Sequence, residues 1–70
     1  MNLGHGFTAM RNKHNIDTLT MAKKSNGEYS IRSLQNFMKT GANPKFESII
    51  VCCELIGCKV SELMAEAERY

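Results

Sequence analysis

The side chains with the widest chemical reach in this 70-residue chain are His5, His14, Cys52, Cys53 and Cys58. A zinc centre takes four such ligands, usually as two spaced pairs. Here the histidines and cysteines occupy different parts of the sequence and lack that spacing, so no metal and no cofactor is expected. Adjacent Cys52 and Cys53 do not usually pair with each other, and an odd cysteine count suits a reducing compartment. The three read as small buried hydrophobes. No Ser/His/Asp set, paired-carboxylate arrangement, G-x-G-x-x-G, P-loop or H-E-x-x-H pattern accompanies the histidines. A chain this short buries only about 60% of its unfolded surface, too thin a core for a deep catalytic cleft. The expectation is no enzyme and no small-molecule substrate.

The cations are more informative. The formal charge of +2 divides unevenly along the chain. Residues 1–46 hold seven Lys/Arg (Arg11, Lys13, Lys23, Lys24, Arg32, Lys39, Lys45) against Asp17 and Glu28, a formal +5. Residues 47–70 hold Lys59 and Arg69 against Glu47, Glu54, Glu62, Glu66 and Glu68, a formal −3. Such asymmetry implies an anionic partner for the first part. The longest apolar run, residues 49–53, is far too short to cross a membrane, so no membrane partner is expected. The N-terminal residues lack a basic start followed by an apolar stretch, so no secretory signal is expected and a cytoplasmic location follows.

Five short helices must position these groups. Gly4-His5-Gly6 makes residues 1–6 a flexible arm, leaving residues 7–70 as the domain. Phe7, Met10, Arg11 and Ile16 fit a first helix and its exit, with Asn15 near the stop. Asp17 stands as N-cap to residues 18–24, where Leu19, Met21 and Ala22 supply apolar contacts. Ser25-Asn26-Gly27 signals a turn. Ser30 caps a third helix over residues 31–38, with Leu34 and Phe37 inward at i, i+3, and residues 39–42 form a loop. Asn43 as cap and Pro44 at the first helical position open a fourth helix. Phe46, Ile49, Ile50, Cys53 and Ile56 form its core stripe, and Gly57 its C-terminal stop. Val60, Leu63, Met64 and Ala67 mark a last amphipathic helix. No alternating strand pattern competes, and the fold class is all-α.

These residues resemble the lambda-repressor-like Cro/CI (Xre-type) helix-turn-helix family. The segment PKFESIIVCCELIGCKVSEL, residues 44–63, is similar in register to that family's helix 4 to helix 5 pattern P-s-l-e-t-l-l-k-l-A-k-a-L-g-v-s-l-d-e-L. Met10-Arg11 looks like the apolar-Arg pair of helix 1, and Met21-Ala22 like the Leu-Ala of helix 2. Tyr29-Ser30, Leu34 and Phe37 match the spacing of the recognition helix. The resemblance covers roughly residues 7–64. It departs in a longer connection between Ala22 and Tyr29, in Thr18 where Gln is common, in Met38 where Glu is common, and in Lys59 where Ser would cap helix 5.

The resemblance implies a compact five-helix domain binding double-stranded DNA as a transcriptional regulator, a repressor of the phage or prophage Cro type, in the bacterial nucleoid or a phage-infected host. In such a module the third helix lies in the major groove and the second crosses the backbone. Ser30, Ile31, Arg32, Ser33, Gln35 and Asn36 are then the base-reading candidates. Arg32 suits guanine O6 and N7, Gln35 or Asn36 suits adenine N6 and N7, and Ile31 suits a thymine methyl. Arg11, Thr18, Lys23, Lys24, Lys39 and Lys45 are the phosphate candidates. One reading helix spans few base pairs, so a homodimer on an inverted repeat is expected, with Met64, Ala67 and Tyr70 at its interface. The acidic last helix keeps a second reading open: a small helical protein-binding adaptor of the antirepressor or antitoxin type.

Overall fold

Side-chain caps set several of the helix boundaries in the computed structural model, which describes residues 1–39 and 41–69. Asn2 Oδ1 accepts the His5 N–H at 3.2 Å and opens α1 (Leu3–Lys13). Asp17 Oδ1 accepts the Thr20 N–H at 2.8 Å ahead of α2 (Thr18–Lys24). Ser30 Oγ does the same for the Ser33 N–H at 3.1 Å ahead of α3 (Ile31–Phe37). Gly57, at φ 90°, stops α4 (Phe46–Ile56) in the left-handed conformation that glycine adopts without a Cβ penalty. In α5 (Val60–Glu68), Glu62 reaches back to accept the Lys59 N–H at 3.0 Å. The result is an all-α domain with five helices and no strand among the described residues.

Each helix contributes to one core. Phe7 and Met10 of α1, Met21 of α2, Leu34 of α3, Ile49, Cys52, Cys53, Leu55 and Ile56 of α4, and Leu63 of α5 form a continuous buried cluster. Among the described residues no polar or charged residue is fully buried, so apolar burial does the stabilising. The most extensive helix pair is α1 with α5, α3 packs chiefly on α2, and α2 also touches α4.

Three expectations need correction. Residues 3–6 are not an arm but the first turn of α1, because Gly4 and Gly6 are buried contact points. A Cβ on Gly4 would overlap the Lys39 carbonyl, and one on Gly6 would press on the Ala67 methyl at 3.0 Å and Leu63 Cδ1 at 3.1 Å. The Asn2 N–H also donates to the Ala67 carbonyl at 2.9 Å, fastening the chain start to α5. Glycine here serves close approach, which a reading based on flexibility alone misses. Second, α4 begins two residues after Pro44, with Lys45 as an extended N-cap lacking a side-chain bond. Of its stripe, Ile49, Cys53 and Ile56 are buried, Ile50 is only half-buried and Phe46 is 65% exposed. Cys52 and Leu55 fill the core places instead. Third, Leu19 is 48% exposed, since α2 buries only Met21 fully.

The glycines make a quantitative comparison. In an exposed helix, Gly→Ala stabilises. Here Gly4→Ala should lower stability by about 1–3 kcal/mol through overpacking against backbone, and Gly6→Ala by less, because its contacts start at 3.0 Å rather than as an outright overlap. Urea unfolding of the two variants checks the order. A pH prediction follows from the caps. The Asp17 carboxyl is held below its ordinary 3.8, first by the Thr20 backbone N–H, then by the Thr20 side chain and Arg11. A depressed folded pKa stabilises above the unfolded value and the benefit fades as pH falls through the folded one. Asp17→Asn, which keeps a capping oxygen, should therefore flatten the acid limb of a stability-against-pH curve.

Candidate nucleic-acid interface

The α2–α3 unit is built around Ser25. Its Oγ donates to the Ala22 carbonyl at 2.7 Å and accepts the Tyr29 N–H at 3.1 Å, spanning the turn from the end of α2 to the approach of α3. Asn26 and Gly27 take φ of 56° and 82° between those anchors. The longer connection between the two helices is thus an ordered turn held by the Ser25 hydroxyl and by main-chain bonds from Asn26 to Lys23 and from Glu28 to Ser25. Tyr29 and Phe37 then bracket α3, their rings meeting edge-on with centroids 6.0 Å apart.

With Leu34 wholly buried, the opposite side of α3 faces out. Ile31 is 38% exposed, and Arg32, Gln35 and Asn36 are exposed. Ser30 is exposed and Ser33 half-buried, and the two hydroxyls are hydrogen-bonded at 3.1 Å, so both serve the start of the helix. One face of α3 thereby offers a guanidinium, two amides and an apolar tip.

The six phosphate candidates separate into two groups. Lys23, Lys39 and Lys45 are exposed. Lys24, also exposed, sends its ammonium to the Leu55 carbonyl at 2.8 Å. That carbonyl lies in the last turn of α4, where an acceptor otherwise goes unmet and the helix dipole favours a cation. Arg11 Nη1 donates to the Ile16 carbonyl at 3.4 Å and its Nε is buried, so the guanidinium braces the α1–α2 connection. Thr18 is half-buried beside Asp17, whose carboxylate already occupies the start of α2 and repels an anion there. On the far side, Lys13 pairs with Glu62 at 3.8 Å, joining α1 to α5.

The expected dimer residues also divide. Ala67 is fully buried against Gly6 and has no surface to give a partner, a correction that follows from the tight α1–α5 seam. Met64 is half-buried against the core, and Tyr70 lies outside the described residues. No group of three or more metal-ligating side chains occurs among the described residues, nor a helix long and apolar enough to cross a membrane.

Comparison with protein-family models, with curated proteins and with solved structures finds no match to this chain. The likeness to the Cro/CI family rests on the motif residues alone. Sequence reasoning missed Ser25 and Lys24 as positioning residues. A hydroxyl beside Asn-Gly is a visible turn signal, but the contact from Lys24 to Leu55 joins residues 31 positions apart and has no local signature. Lys24→Met should lower stability by about 1–2 kcal/mol in urea unfolding by orphaning that carbonyl, whereas Lys23→Met should leave it unchanged.

Proposed function

We propose that this chain is a sequence-specific reader of double-stranded DNA, a transcriptional regulator of the compact repressor type, with α3 lying in the major groove. The observation that carries the reading is the division of α3, in which Leu34 is sunk in the core while Arg32, Gln35, Asn36 and Ile31 stand exposed together. Those side chains supply what base edges require: a bidentate donor for guanine, amides for adenine, and an apolar contact for a thymine methyl. Lys23, Lys39 and Lys45 are the phosphate contacts. Lys45 stands at the uncapped start of α4, whose free N–H groups favour an anion despite Glu47 in the same turn.

A reader this small acts as a twofold dimer, on half-sites about 34 Å apart. Of the apolar residues expected at that contact, Met64 is the one with described surface to give. With this arrangement occupancy is governed by concentration, and repression follows from covering the site.

Selection of duplexes from a random pool, followed by binding over a salt series, tests the proposal. The expected outcome is an inverted-repeat site with affinity falling linearly in log salt. Arg32→Ala should cost about 1–3 kcal/mol of discrimination at one position of each half-site. Lys23→Ala should weaken all duplexes alike and reduce the salt slope by about 1. Absence of binding to any duplex, at any salt, overturns the reading in favour of a protein-binding adaptor.

A further inference from the structure

The turn between α4 and α5 brings two thiols together. Gly57, in its left-handed conformation, folds the chain back so that the Cys58 N–H donates to the Cys53 carbonyl at 3.0 Å, and the Gly57 N–H to the same oxygen at 2.8 Å. These are the positions whose side chains meet across a glycine-stopped helix end. Standard bond lengths then hold the two Cα atoms within about 7 Å, the limit of what a disulfide spans. Beyond the effect of burial, each thiol also bears on the other's ionisation, Cys58 raising the pKa of Cys53 and Cys53 favouring the thiolate of Cys58. Cys52 sits about 100° round the helix from Cys53 and is wholly buried.

We propose that Cys53 and Cys58 form a reversible dithiol–disulfide site, oxidised by low-molecular-weight disulfides. Access sets the order of events. Cys58 is half-buried, whereas Cys53 is 2% exposed. The Cys58 thiolate attacks one sulfur of the small disulfide and expels the other as a thiolate. Cys53, as thiolate, then attacks the Cys58 sulfur of that mixed disulfide and expels the second small thiolate. The two protons lost by the cysteines end on the two small thiols, and the pair of electrons from the protein reduces the small disulfide. Burial raises both thiols, Cys53 to about 12, so the exchange quickens as pH rises. The ring closes around Leu55, whose carbonyl Lys24 grips. This site is independent of the DNA-reading proposal.

The test uses the reduced full-length chain and oxidised glutathione at mildly alkaline pH. Free thiols are then alkylated, the protein is unfolded without reductant, and it is cleaved after Glu54. That cut puts Cys52 and Cys53 on one peptide and Cys58 on the other. The two peptides are expected to remain joined, to separate on reduction, and to remain joined in Cys52→Ala. Cys58→Ser should lose the link while keeping its helical circular dichroism. Separate peptides from the wild type, accumulation of only a glutathione adduct on Cys58, or loss of the link in a folded Cys52→Ala variant would each overturn the proposal.

Discussion

The close approach of α1 to α5 is the constraint on which the rest of the domain depends. It is made possible by the absence of a side chain at Gly6, where Leu63 and Ala67 settle against the α1 backbone. Two further contacts sit on the same seam, the Asn2 to Ala67 backbone bond and the Lys13–Glu62 ion pair. The ion pair is largely exposed and contributes little by itself. The seam holds because apolar burial and main-chain bonding coincide there. Gly4 adds the third side, letting the exit of α3 pass directly over α1.

From that frame the orientation of α3 follows. Leu34 drops into the core between the other helices, and Ser25 fixes the approach from α2. Lys24 then ties α2 to the end of α4, so the helix on which α3 chiefly packs is itself anchored. A cation that composition assigns to the partner-binding set is in this way spent on architecture. Arg11 and Lys24 hold backbone carbonyls and Lys13 pairs with Glu62, so the exposed cations of the first 46 residues outside those contacts are Lys23, Arg32, Lys39 and Lys45.

Local signals were the most legible part of the chain. Asp17, Ser30 and Gly57 act at short range through their own backbone chemistry, and each stands where its residue type predicts. The helical stripe of α4 was readable at Ile49, Cys53 and Ile56, because period marks a buried face, but Cys52 and Leu55 rather than Ile50 complete it. What periodicity does not encode is how far the neighbouring helices extend, and so Phe46, in phase with the stripe, stands outside the core. Gly4 and Gly6 were misread for a related reason: glycine signals flexibility and close packing with the same letter, and only the partner helix distinguishes them. For the candidate interface, polarity identified the outer residues of α3, but whether Lys23 or Lys24 is free depends on a carbonyl 31 positions from Lys24.

The seam between α1 and α5 joins the two helices farthest apart in sequence. Helical domains of this size ordinarily fold through neighbours, which keeps contact order low and folding fast. Here the largest helix–helix contact closes a loop running through the whole of α2, α3 and α4, and that closure entropy must be met before Phe7 or Leu63 gains its burial. α1 and α5 also touch the middle helices, but each makes its largest contact with the other. Cooperativity in this small domain is therefore favoured by chain order, because its largest seam couples the two ends of the chain.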